Sequence, residues 1–159
     1  MNKAYLLLGS NMGNSKHQLL AAIKCIENQI GLVKRQSAIY ITAAWGNTEQ
    51  PDFLNQVLVV QTSLAAKEMM ERILAIEQEM GRVRTLKNAP RIIDIDILFF
   101  NKEIIRHKDL SVPHPEIQNR RFVLIPLNEL SPNMLHPVLK KTIHRLLLDC
   151  KDELNVKKF

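Results

Sequence analysis

Two acidic side chains, Asp94 and Asp96, stand two residues apart in the apolar run N-A-P-R-I-I-D-I-D-I-L-F-F, residues 88–100. In a strand, side chains at i and i+2 leave from the same face. Ile93, Ile95 and Ile97 then fall on the opposite face and can enter a core. Two carboxylates held that close repel, and one takes up a proton unless a cation stands between them. A hard divalent ion with oxygen ligands, Mg²⁺ above all, suits such a pair, with water and phosphate oxygens completing its shell. A bare D-x-D is commonly a solvated strand edge. What distinguishes this one is its company: Arg82 and Arg84 before it, Arg91 beside it, and Arg120 with Arg121 further on. Phosphoryl transfer needs metal to spread charge, guanidinium forks to clamp phosphate oxygens, and an in-line nucleophile.

Two further features fit a small polyphosphate and a flat partner. Phe53 and Asn55 share strand parity, and an aromatic face beside an amide grips a heteroaromatic ring. Phe122 is a candidate for the second slice of that sandwich. His114, between Pro113 and Pro115, sits in a rigid extended turn suited to binding. The Walker-type G-x-x-x-x-G-K-[ST] loop is absent, G-S-N-M-G-N is no dinucleotide fingerprint, and the protein-kinase lysine and H-R-D set are missing.

The elements that must position these residues follow from periodicity. Residues 4–8 predict a buried strand. A helix is expected from Ser15 to Ile30, with Leu19, Ile23, Ile26 and Ile30 as its stripe and Gly31 as its stop. Residues 33–42 predict one strand and Phe53–Thr62 another. A helix capped by Ser63 runs through Met80, its methionines read as core. The aspartate strand turns at Asn101-Lys102 into a partner near residues 103–105. Short helices follow near 122–130 and 142–150, and the C-terminal K-D-E-L-N-V-K-K-F is expected to be a solvated tail.

The order β-α-β-β-α-β marks an α+β, ferredoxin-like sandwich: one antiparallel sheet with helices on one face, plus C-terminal appendages, in a single domain over 1–159. The chain has 159 residues, 46% of them hydrophobic, enough for one core. No apolar run approaches the ~20 residues of a membrane span, and the N-terminus does not read as a secretory signal. Cys25 and Cys150 form no framework and are expected as buried thiols in the cytoplasm. A net charge of +6 favours an anionic partner. Nucleic acid is the rival, since similar sheets read single strands by stacking. Only 5% of residues are aromatic, and two aspartates on the open face would repel phosphate. A metal-binding regulatory domain would leave the arginines unexplained.

The chain resembles 6-hydroxymethyl-7,8-dihydropterin pyrophosphokinases of folate biosynthesis. The matching stretches are L-L-L-G-S-N near the start, Q-P-D-F-L-N at 50–55, G-R-V-R at 81–84, K-N-A-P-R-I-I-D-I-D-I-L at 87–98, and V-P-H-P with N-R-R-F at 112–122. The resemblance implies transfer of the terminal diphosphate of ATP to the pterin hydroxymethyl group, releasing AMP. It implies two Mg²⁺ ions on Asp94 and Asp96. It places Thr42, Trp45 (through its backbone), Phe53, Asn55 and Phe122 around the pterin. It places Glu77, Arg84, Arg91, Ile97, Ser111, His114 and Arg120 on the nucleotide, with Arg82 and Arg91 assisting transfer from mobile loops. It implies a monomer acting on small molecules, with no nucleic acid or membrane partner. Phe53 stands where tyrosine is also common, Asn88 where some members carry tryptophan, and Ala43-Ala44 where prolines are frequent.

Overall fold

The computed structural model describes residues 1–43, 50–82 and 91–159. Strand β1 (Asn2–Ser10) leads into helix α1 (Ser15–Gln29), then β2 (Gly31–Gln36), β3 (Tyr40–Thr42) and β4 (Phe53–Thr62). Helix α2 (Ala66–Glu79) precedes β5 (Asp94–Phe100), the small ladder β6 (Ile105–Arg106) and β7 (Ser111–Val112), and a 3-10 turn (Ile117–Asn119). Helices α3 (Arg121–Leu130) and α4 (Ile143–Asp149) and strand β8 (Val156–Lys158) complete the chain.

The main sheet runs β5-β1-β4-β3-β8, with β2 also on β4, and every pairing is antiparallel. Alternation along β1 divides the protein into two cores. Ala4, Leu6 and Leu8 pack with the stripes of α1 (Leu19, Ala22, Ile23, Ile26) and α2 (Met69, Ile73, Ile76). Tyr5 and Leu7 face the other way and pack with Val57, Val59, Phe99 and the apolar sides of α3 and α4. Helices therefore cover both faces, the second by the C-terminal appendages whose placement the sequence left open. The βαββαβ unit has its helices on one side, and the C-terminal appendages fold back over the other.

The boundaries show what local chemistry decides. Asn14 accepts from the His17 amide and caps α1, an arrangement worth about 1 kcal/mol. Gly31 follows the Ile30 cap and opens β2, where a Cβ would meet the Gln61 carbonyl at 2.1 Å. The long methionine helix is not capped by Ser63. Thr62 Oγ1 donates to the Ile30 carbonyl and accepts from Leu64 N, which uses residues 62–64 to turn the chain. The cap position is Ala65, whose amide reaches Glu68. The end at Gly81 is as expected, with φ at +90°.

Three further expectations are overturned. The single strand over 33–42 is broken at Ser37, which bonds Val57 through both its amide and its hydroxyl. β2 and β3 thus pair separately with β4. The residues after the Asn101 turn do not return along β5; Ile105 and Arg106 pair with Val112 and Ser111 instead. The C-terminal tail is not merely solvated, since Val156–Lys158 form a ladder with Thr42–Tyr40. Cys25 and Cys150 are free and half-buried.

Candidate active site

β1 is the line on which the site assembles. Gly9 pairs with Asn55 of β4 on one side and Asp94 of β5 on the other, and Leu7 pairs with Asp96. Asn55 pairs in turn with Tyr40, and Phe53 with Thr42. Residues opposite one another share a face. Asp94, Asp96, Gly9, Asn55, Phe53 and Thr42 therefore share the face that carries Tyr5 and Leu7. α3 and α4 cover the far end of this face. Phe122, in the first turn of α3, belongs to the second core at the covered end.

Gly9 keeps the floor low. A Cβ there would lie 3.2 Å from Asn55 Oδ1 and 3.5 Å from the Phe53 ring. Asn55 is 3% exposed, and its Nδ2 finds no partner among the described residues. A buried amide donor left in that state costs on the order of 1–3 kcal/mol, so it is poised for a ligand acceptor. On the opposite side of β5, Ile93, Ile95 and Ile97 enter the first core as the strand parity predicted. A bulge opposite Tyr5/Leu6 then turns both Leu98 and Phe99 towards the second core.

The acidic end is tightly paired. Arg82 Nη1 lies 2.7 Å from Glu77 Oε2 and 2.7 Å from Asp94 Oδ1, with its side chain 8% exposed. Arg91 Nη1 approaches Asp94 Oδ2 at 2.9 Å. Glu77 Oε2 also accepts from the Ile95 amide at 2.8 Å, so the end of α2 is fastened to β5. Burial works against the Arg82 charge, but Asp94 and Glu77 outweigh it and hold its pKa above the ordinary value. Asp96, half-buried, is pushed up to about 7, by burial first and then by the Asp94 and Glu77 carboxylates; Arg120 and Arg91 oppose the rise.

His114 sits after the cis Val112-Pro113 bond, and its amide donates to Leu98 O. Its Nδ1 accepts from Glu116 N at 3.1 Å. Burial, reinforced by the Arg120 charge, lowers its pKa and favours the neutral ring, against Asp94 and Glu116. Ser111 lies in β7, exposed, opposite Arg106. Ile97 points into the first core, 4% exposed, so only its backbone edge faces outward from β5. Trp45, Arg84, Asn88 and Pro90 lie outside the described residues.

Sequence reasoning missed Asn11, read only as part of a turn. Its Oδ1 accepts from Arg91 N at 2.8 Å and its amide donates to Arg91 O at 3.0 Å. Its Nδ2 donates to Gln50 Oε1 and Pro51 O. One buried side chain thus joins the end of β1 to residues on both polar loops. The N of L-G-S-N was in view, but its partners are 39 to 80 residues away.

Known proteins agree with this geometry. Residues 5–132 match the family model for 7,8-dihydro-6-hydroxymethylpterin-pyrophosphokinase. The chain is 42% identical over 143 residues to the 2-amino-4-hydroxy-6-hydroxymethyldihydropteridine pyrophosphokinase of Aquifex aeolicus, covering 90% of this chain and 89% of that one. It is 38% identical over 136 residues to the enzyme of that name from Methylorubrum extorquens, covering 85% and 86%. Its fold matches a Plasmodium falciparum HPPK-DHPS crystal structure with a TM-score of 0.76 at 22% identity, over 94% of this chain and 43% of that longer one. The antiparallel sheet, the paired aspartates among arginines and the sequence match together place this chain in the 7,8-dihydro-6-hydroxymethylpterin-pyrophosphokinase family.

Proposed function

We propose that this face carries out the family's reaction, diphosphate transfer from ATP to the hydroxymethyl group of 6-hydroxymethyl-7,8-dihydropterin in folate biosynthesis, with the residues named here in the following roles. Asp94 and Asp96 hold Mg²⁺. The donor set fits a hard ion: two carboxylates on one strand face, one of them pushed up to about 7 by burial and then by its carboxylate neighbours. Among the described residues no group of three or more Asp, Glu, His or Cys is placed to hold an ion; water and phosphate oxygens would complete the shell. When bound, the ion spreads the triphosphate's charge and favours the ionised hydroxyl of the acceptor.

The chain's own residues do the rest. Asn55 offers its unpaired Nδ2 to an acceptor on the pterin ring, Phe53 and Phe122 bound the ring, and Thr42 closes its outer side. Arg82 and Arg91 neutralise Asp94 in the resting chain and would turn to the phosphates when the triphosphate is bound. Breaking a buried ion pair costs about 3–5 kcal/mol, so Arg82 leaves Glu77 and Asp94 only for an equally dense anion. Glu77, Ile97 through its backbone, Ser111, His114 and Arg120 line the nucleotide side, joined by Arg84; Trp45 joins the pterin side. The hydroxyl oxygen attacks the β-phosphorus, the bond from that phosphorus to the bridging α–β oxygen breaks, AMP leaves, and the hydroxyl proton passes to solvent. Positioning and charge supply the acceleration. The enzyme acts as a cytoplasmic monomer on two small molecules, without nucleic acid or membrane.

The observation that carries this reading is the single face shared by Asn55, Gly9, Asp94 and Asp96. Phosphorus NMR of the reaction mixture tests it. AMP and a pterin diphosphate are expected; ADP without AMP would contradict it.

A further inference from the structure

The C-terminal segment links two places that the proposed site needs. α3 begins at Arg121 after an extended Arg120 that makes no side-chain cap of its own. The missing acceptor comes from Asp152, 31 residues on, whose Oδ2 accepts from Arg121 N at 3.0 Å. Its Oδ1 accepts from Leu154 N at 3.0 Å and turns the chain towards β3. There the Asn155 carbonyl accepts from Thr42 Oγ1 at 3.1 Å. Val156, Lys157 and Lys158 pair with Thr42, Ile41 and Tyr40, and Phe159 N donates to Ile39 O at 2.9 Å. Val156 also packs against the second core, which holds Phe122.

We propose that residues 152–158 form a clasp that sets the width of the pterin cleft, with Asp152 as its positioning residue. The inference rests on the assignment of Phe122 and Thr42 to the pterin. Phe122 is one residue from the capped amide and Thr42 is held by the clasp's far end. An acidic side chain also suits the positive end of a helix. Arg120 has further ties of its own: its amide donates to Ile117 O of the 3-10 turn, its carbonyl accepts from Val123 N and Leu124 N, and its guanidinium lies 5.8 Å from the Phe122 ring centroid. The clasp's far end bonds Thr42 and its β3 neighbours, on the side assigned to the pterin, so its effect is expected in pterin binding.

The test measures pterin affinity in the presence of Mg²⁺ and a non-hydrolysable ATP analogue, the analogue's own affinity, steady-state constants and melting temperature. The variants are Asp152→Ala, Asp152→Asn and, as a control on the site, Phe122→Leu. Loss of a cap should weaken pterin binding about five- to tenfold in Asp152→Ala. KM for the pterin should rise in step, while kcat and analogue affinity stay within about twofold. Asp152→Asn, which keeps one acceptor oxygen, should recover part of the loss. Unchanged pterin affinity in Asp152→Ala, with Phe122→Leu impaired, would overturn the clasp and leave the site standing. A parallel loss of pterin affinity, analogue affinity and melting temperature would show a merely structural role and overturn it too. Unimpaired binding by Phe122→Leu would remove the underlying assignment of Phe122, and the clasp with it.

Discussion

Asp96 and Asp94 are the same residue type on the same face, yet their surroundings differ. Asp94 is met by two guanidinium groups. At Asp96 burial and two neighbouring carboxylates outweigh Arg120 and Arg91, and its pKa rises from 3.8 to about 7. The sign of the consequence is fixed. The folded state binds a proton more tightly than the unfolded state, so Asp96 costs stability as pH climbs from about 4 to about 7. Asp96→Asn should therefore melt higher than the parent at pH 8 without metal. The expected gain is about 1–2 kcal/mol, since part of the carboxylate meets solvent, or roughly 3–6 °C. The same variant should lose at least about 10²-fold in turnover, because it removes charge from the proposed metal pair. Calorimetry and a rate assay check the two halves. Equal melting at pH 8, or a near-normal rate, would contradict this account of Asp96. At this scale much was legible beforehand. The i, i+2 spacing put the two aspartates on one face and Phe53 with Asn55 on one face, since strand parity needs no tertiary information; that the two pairs share a face follows from the pairing of β1 with β4 and β5. Asn11 was not legible, because its role consists of bonds to distant backbone.

Among the elements, those with a strong apolar period kept the bounds that period implied. β4 runs from Phe53 to Thr62 as read, and α1 differs only at its last residue. The misread elements are held by pairing rather than pattern. Ser37 breaks a strand through bonds to Val57, and β8 hides in mixed charge because its ladder to β3 uses backbone groups. The turn before α4 shows the same principle with a titratable group. His136, 4% exposed, accepts from Val138 N and Leu139 N on Nδ1 and lies edge-on to Phe99 at 5.5 Å. Burial lowers its pKa below 6.5. Its contribution is whole above 6.5 and is lost as pH falls, because the unfolded chain takes the proton first. His136→Asn keeps an acceptor without the titration. The parent's stability advantage over that variant should shrink between pH 7 and pH 5 in denaturant melts; a constant difference would contradict the assignment.

At the scale of the molecule, one sheet separates two cores and gives each face a different task. The α1/α2 face supplies the larger apolar cluster, including the isoleucines that alternate with the aspartates. The other face is covered only in part by α3 and α4, and its open end holds the polar row from Asp94 to Tyr40. The β-α-β-β-α-β order made the sheet legible, and the two C-terminal helices were read near their observed bounds, but not the face they cover, since nothing in their local pattern says which surface that is. Among the described residues no helix is long and apolar enough to cross a membrane. The net charge of +6 favours an anionic partner at this scale. The most direct measurement is a crystal structure with Mg²⁺, a non-hydrolysable ATP analogue and the dihydropterin. The account predicts magnesium ligated by Asp94 and Asp96, the β- and γ-phosphates on Arg82 and Arg91, and the pterin bonded to Asn55 Nδ2. Nucleotide bound elsewhere, with both carboxylates free of metal, would contradict it.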